Sequence, residues 1–220
     1  MDILSSVEVR VLGSLIEKQM ATPEYYPLTL NALVNACNQI SNRDPVVSYD
    51  EKTVARALET LREKGLIWVV SSAGGRVPKY EHRLTERLKL AEQEAAVLGV
   101  LMLRGPQTVG EIRGRTGRMY EFSELAEVEA ILDTMTRAEP DPLVVRLPRQ
   151  HGLKEPRFAH LLAGEVRLEE SETTAPVEPA RLEVQAERER IARLEEQLEK
   201  LRADFEALKS DFSDFKKQFE

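Results

Sequence analysis

The chain of 220 residues contains one cysteine, Cys37, so no disulfide can close within it. Its neighbours Ala32, Leu33, Val34 and Ala36 make it read as a small buried hydrophobe. Aromatic residues reach only 5%, so any core is built mainly of aliphatic side chains. No apolar run approaches the roughly 20 residues of a membrane-spanning helix, which argues against a membrane partner. The opening stretch MDILSSVEVR has no basic segment followed by an apolar one, so no secretory signal is expected there. The expected setting is a reducing cytoplasm.

Groups that carry chemistry are equally scarce. The three histidines, His82, His151 and His160, have no cysteine or histidine at zinc-ligand spacing, and they read as solvated surface residues. There is no nucleophile elbow, phosphate loop or dinucleotide fingerprint. Gly110-Glu111-Ile112-Arg113-Gly114 contains glycines but lacks the strand such a fingerprint requires. The expectation is a protein that is not an enzyme and holds no cofactor or metal.

What is present is enough apolar sequence for real cores, 42%, together with 31% charged residues, more than an ordinary globular domain carries. The net charge of -7 is unevenly spread. Residues 1–84 hold ten basic and ten acidic side chains, residues 85–164 hold eleven and twelve, and residues 165–220 hold ten and sixteen. The acidity therefore lies in the tail. Any affinity for nucleic acid has to come from a local patch.

Periodicity divides the chain. Ser5-x-x-Glu8 has the form of a capping box, and Val7, Val11, Leu12, Leu15 and Ile16 recur at helical spacing to about Met20. Pro23 and Pro27 interrupt. A second helix carries Leu30, Leu33, Val34 and Cys37 on one face, and residues 40–47 form a loop. Ser48-x-x-Glu51 opens a third helix with Val54, Leu58 and Leu61 buried, and Gly65 sits at its C-terminal cap. The period then shortens: residues 66–70 and 76–84 read as two strands about the turn at 72–75, with Pro78 at an edge. Three helices and a hairpin in about eighty residues is the winged-helix plan.

The order then recurs, in architecture though not in sequence. Residues 86–103 read as a helix with Leu88, Ala91, Ala95, Leu98 and Met102 inward, ended by Gly105-Pro106. Thr108 caps a short helix over 109–115. Ser123 caps a third, with Leu125, Val128, Leu132 and Met135 inward, stopped by Pro140 and Pro142. Residues 143–147 and 157–162 read as a hairpin. Residues 165–180 are acidic, contain proline and read as a linker. In residues 181–220, Ile191, Leu194, Leu198, Leu201, Phe205, Leu208, Phe212, Phe215 and Phe219 alternate spacings of three and four, as in a coiled coil. In a parallel pair, Arg190–Glu195, Asp204–Lys209 and Asp211–Lys216 would be opposite in sign. A homodimer through this helix is the expectation. Packing of the same stripe on the chain's own domains stays open, because phenylalanine is a poor core residue for a two-stranded coil.

The segments TPEYYPLTLNALVNACNQISNRDPV, GGRVPKYEHR, LRGPQTVGEIRGRTGRMYEFSELAEVEAIL and LVVRLPRQHGLKEPRFAHLLAGE closely resemble the YceH family of bacterial proteins, in order and over essentially the whole chain. The resemblance implies two winged-helix domains in a bacterial cytoplasmic protein. It carries no activity and no site residues. The expected fold is thus mainly α (α+β): winged-helix domains at 1–84 and 85–164, the linker, and the coiled-coil helix.

Duplex DNA is the default partner of a winged helix, whose third helix enters the major groove while the wing touches the backbone. In the first domain, Lys52, Thr53, Arg56 and Thr60 lie opposite the buried stripe, Arg76 and Lys79 lie at the wing, and Asn42 and Arg43 lie just before the helix. These are the DNA-contact candidates, although Glu59 and Glu63 on the same helix would repel phosphate. In the second domain the third helix carries Glu124, Glu127, Glu129 and Asp133, with Glu121 ahead of it, which disfavours a groove. Arg113, Arg115 and Arg118 would pair with those acids or form part of a protein interface, together with the tail positions Leu194, Leu198, Leu201, Phe205, Leu208, Phe212 and Phe215. Two functions follow: a DNA-binding protein, as in transcriptional regulation, or a scaffold that uses winged helices for protein contacts, like chromosome-segregation accessory proteins in architecture.

Overall fold

In the computed structural model, which describes residues 3–70, 77–149 and 155–164, Ser5 caps the first helix as its spacing from Glu8 predicts. Its hydroxyl accepts from the Glu8 N–H at 3.3 Å, and the Glu8 carboxylate accepts from the Ser5 N–H at 2.7 Å. This opens α1 (Ser6–Ala21). A short 3-10 turn, Pro23–Tyr25, leads to β1 (Leu28–Thr29), and Thr29 caps α2 (Leu30–Cys37). Next come α3 (Glu51–Glu63), β2 (Ile67–Val70) and β3 (Lys79–His82). Gly65, at φ +66, turns the chain from α3 into β2, a conformation that glycine adopts freely.

The second half runs α4 (Leu84–Leu88), α5 (Glu92–Arg104), α6 (Val109–Thr116), α7 (Leu125–Thr136), β4 (Val144–Arg146) and β5 (Phe158–His160). The molecule is of the α+β class, helices with two small antiparallel sheets. One sheet has the order β1-β3-β2 and the other pairs β4 with β5.

The recurrence goes deeper than element order. β1 lies just before α2 and pairs with β3. In the second half Gln107 lies just before α6 and exchanges two backbone hydrogen bonds with Phe158 of β5, at 2.9 and 2.7 Å. The third strand is reduced there to one bridge. Both places carry Pro-x-Thr, at 27–29 and 106–108, and both threonines cap the following helix through their hydroxyls. Three polar positions between them hid this short repeat from the pattern of apolar residues.

Several local expectations give way to tertiary structure. The cap of α3 is Asp50, not Ser48: the Asp50 carboxylate accepts from the Thr53 N–H at 2.8 Å, and a carboxylate also answers the positive end of the helix. Ser123 is not a cap either; Glu124 holds that position, and the Ser123 N–H donates to Glu127. The expected helix over 86–103 is two helices, because Lys89 takes a left-handed conformation, φ +54, that ends α4. Ala91 is the exposed N-cap residue of α5, and Leu125, expected inward, is 45% exposed.

Two helices are buried on nearly every side: α1 from Glu8 to Ile16 and α5 from Ala95 to Leu103. They cross where both lack a side chain. A Cβ on Gly13 would stand 3.1 Å from Leu103 Cγ and Met102 Cβ, and one on Gly99 would stand 3.2 Å from Ile16 Cγ2. A single hydrophobic core runs from Leu12, Leu33 and Leu61 of the first half through Leu98 and Leu101 to Ile112 and Leu132 of the second. The Leu4 N–H donates to Leu162 O, and the Asp44 N–H to Leu103 O, both at 2.9 Å. The described residues accordingly fall in one unit, bounded by Met1 and Arg167.

Candidate nucleic-acid interface

The α3 helix buries Val54, Ala57, Leu58 and Leu61, and this apolar stripe fixes what the other face presents. Lys52 and Arg56 stand one turn apart and are exposed, while Thr53 and Thr60 are half-buried. Neither Lys52 nor Arg56 forms an ion pair with another described residue. Their face borders an open groove of about 650 Å³ that is shared with the start of α1.

Glu8 forms the wall of that groove. Its carboxylate accepts from Thr60 Oγ1 at 3.0 Å and from Lys64 Nζ at 2.6 Å, besides closing the cap of α1. Burial works to raise its pKa, but the bonds from Lys64, Ser5 and Thr60 outweigh burial and hold it below the ordinary carboxylate value. Thr60 is therefore committed inside the protein and does not offer its proton to a ligand. This Glu8–Thr60–Lys64 arrangement was not foreseen, since a partner 52 or 56 positions away leaves no local trace.

The remaining candidates of the first half separate. Lys79 opens β3 beside Val77 and Pro78, all exposed. Asn42, at φ +60, turns its Oδ1 to accept from Arg104 Nη2. Arg43 is a correction: its side chain is 0% exposed and pairs with Glu17 at 2.6 Å. It also donates to Ala36 O at 2.8 and 3.1 Å, so it fastens the α2–α3 loop and cannot reach DNA. Arg76 lies outside the described residues.

The second half presents the opposite surface. Glu121, Glu124, Glu127, Glu129 and Asp133 are all exposed. Among the described residues, none of the three arginines ahead of α7 pairs with these acids. Arg113 donates to Phe122 O at 3.3 Å and to Ser123 O at 2.7 Å. Arg115 approaches Glu111 of its own helix at 3.6 Å, and Arg118 is exposed. The linker at 165–180 and the coil positions, among them Leu194, Leu198, Leu201, Phe205, Leu208, Phe212 and Phe215, lie outside the described residues.

The histidines also differ from expectation. His82 is 4% exposed, with Nε2 at 2.6 Å from Gln19 Oε1 and its N–H donating to Tyr26 Oη at 2.7 Å. Burial pushes its pKa down to about 4, and burial does the same to His160. Both are neutral structural residues at neutral pH. Strand pairing sets His82 opposite Ile67 and His160 opposite Val144. His151 lies outside the described residues. Among the described residues no three His, Cys, Asp or Glu side chains gather as metal ligands, and no helix is long and apolar enough to cross a membrane.

Comparison with known proteins gives a consistent assignment. A family model described as "Protein of unknown function, DUF480" matches residues 4–153. The UPF0502 protein GSU0233 of Geobacter sulfurreducens is 58% identical over 193 residues, spanning 88% of this chain and 87% of that protein. A UPF0502 protein of Geotalea uraniireducens is 59% identical over 192 residues, with 87% of each chain covered. One from Opitutus terrae is 58% identical over 177 residues, covering 80% of this chain and 76% of its own. The segments that resemble the YceH family lie largely within the same stretch. With most of its length matched by the family model and by relatives at this identity, the chain belongs to the DUF480 family, alongside the UPF0502 proteins.

Proposed function

We propose that the protein is a cytoplasmic, non-enzymatic winged-helix protein that contacts duplex DNA through α3 and the β2–β3 hairpin. The topology supports the winged-helix reading. In each half, residues just before the penultimate helix, α2 or α6, pair with the last strand, and the last helix, α3 or α7, runs into a hairpin. The observation that carries the DNA reading is the exposed Lys52–Arg56 rung, without an ion pair among the described residues, with Lys79 on the hairpin of the same half. Such cations bind phosphate oxygens and release counterions. Glu59 and Glu63 beside them weaken the surface, so the reading is of modest affinity with strong salt dependence.

Fluorescence anisotropy of labelled mixed-sequence duplex, at low and at physiological salt, tests this. The expected slope of log affinity against log salt is about -3, for roughly three phosphate contacts. Absence of binding at low salt would contradict the proposal.

A second reading has its own observation. The acidic face of α7 and the exposed Leu125 suit contact with a basic protein surface better than with DNA. This reading is a scaffold role through the second half, and the apolar period of residues 181–220 separately supports pairing of two copies. Deleting 181–220 is expected to turn a dimer into a monomer in solution; an unchanged number of copies would remove this dimer contact from the proposal.

A further inference from the structure

A second cluster of cations lies away from the α3 rung. The last turns of α1, α5 and α6 and the α2–α3 loop enclose a cleft of about 310 Å³. That is the small end of ligand cavities, roughly 300–1,000 Å³. Lys18, Arg104, Arg115 and Arg118 line it against one carboxylate, Glu17. This is an excess of positive charge on a chain whose net charge is -7.

Of the acids nearby, Glu17 and Glu111 are already engaged, and Asp44 acts on Arg104 only through space. Glu17 is bound by the fully buried Arg43 at 2.6 Å, and Lys18 stands 3.9 Å from it. Glu111 closes the cap of α6, accepting from the Thr108 N–H at 2.9 Å, and meets Arg157 at 3.3 Å; Arg115 approaches it only at 3.6 Å. Arg104 donates to a neutral acceptor, Asn42 Oδ1, and Arg118 bonds to no described residue. Burial lowers the pKa of Arg104, and Arg115 and Arg43 push it the same way against Glu17 and Asp44. Like charges are thus held together without enough counter-charge.

Helix ends do not balance this excess. Three C-termini bring about half a negative charge each, which leaves more than one positive charge over. Val100, Leu103 and Met119 give the cleft an apolar side, while Thr22, Gln39 and Ser41 supply neutral hydrogen-bonding groups.

We infer that this cleft binds a small phosphorylated ligand of about mononucleotide size, its phosphate held by Arg104, Arg115 and Arg118. Guanidinium groups grip phosphate oxygens in pairs, which a lysine does not. The apolar side receives the uncharged part of the ligand. Because the α2–α3 loop forms one wall, occupancy would brace the segment leading into α3 against the second half. Nothing in the cleft requires α3 to bind DNA.

Isothermal titration of the full chain with AMP and with inorganic pyrophosphate, adenosine serving as the uncharged control, tests the inference. Binding of AMP or pyrophosphate without binding of adenosine is expected. The Arg115→Ala/Arg118→Ala variant should bind about tenfold or more weakly, while Lys52→Ala/Arg56→Ala should bind as the parent does. If the double cleft variant does not fold, Arg118→Gln alone serves, since its side chain holds nothing else. No binding of either phosphate probe at millimolar concentration would overturn the inference, and so would unchanged affinity in the cleft variant. Loss of duplex DNA binding in the cleft variant, with no binding of the small probes, would assign these arginines to the nucleic-acid surface instead.

Discussion

The last helices of the two halves, α3 and α7, each run into a strand pair and yet present opposite surfaces. Each buries an apolar stripe, Val54, Leu58 and Leu61 in one and Val128, Leu132 and Met135 in the other. The exposed side of α3 carries Lys52 and Arg56 among its acids, whereas α7 exposes Glu124, Glu127, Glu129 and Asp133. Core positions are constrained by packing and so come out alike. Solvated positions are free to differ, and there the two halves part in what they can bind. The acids around α3 weaken it as a DNA surface, and those around α7 argue against that use there.

The sharpest way to separate structural from binding cations is Arg43→Ala. Removing one partner of a buried pair strands Glu17 and should cost about 3–5 kcal/mol, read as a lower midpoint in urea. DNA affinity of the folded fraction should not change, because Arg43 is enclosed. A variant that keeps full stability but loses DNA would reverse its assignment.

Acid should weaken both halves together. His82 and His160 have folded pKa values of about 4, below the usual value near 6.5. Burial disfavours the charged form, so stability is full above about pH 6.5 and falls as the unfolded chain takes up protons down to about pH 4. Between pH 7 and pH 5 each histidine should cost about 2 kcal/mol. Urea melts at the two pH values measure this, and a parallel experiment with His82→Gln should show a smaller loss.

Gly13→Val places a branched side chain where α1 meets Leu103 and Met102. Overpacking of this kind costs about 1–3 kcal/mol. If the shared core makes one cooperative unit, the first and second halves lose stability together; hydrogen exchange that weakens only the first half would show two independent domains.

The smallest effect is expected on α7. Glu127→Lys/Glu129→Lys removes part of the repulsion and should tighten DNA binding by a few-fold, about 1 kcal/mol or less. A loss of affinity would mean that the acids of α7 take part in binding.

Much of the first layer was legible in the residues. The Ser5 and Thr108 caps, the glycine stop at Gly65, the paired strands and, Leu125 excepted, the buried stripes of α3 and α7 follow from local spacing and occur where expected. The errors have a common cause. β1 has only two residues and exists because β3 lies beside it. The split at Lys89 interrupts a run whose apolar period continues across it. Arg43 is indistinguishable in sequence from a surface arginine until Glu17 is brought to it. Of the candidate site, the Lys52–Arg56 rung was legible because helical period alone sets it opposite Val54 and Leu58, while the commitment of Thr60 to Glu8 depends on tertiary contact.

If α3 supplies the DNA contact and α7 does not, removing the Lys52–Arg56 rung must weaken binding. Anisotropy with mixed-sequence duplex, comparing the parent chain with Lys52→Ala/Arg56→Ala across a salt series, tests it most directly. Weaker binding is expected, with a salt slope shallower by about two, one for each phosphate contact removed. Unchanged affinity and an unchanged slope in the double variant would contradict it.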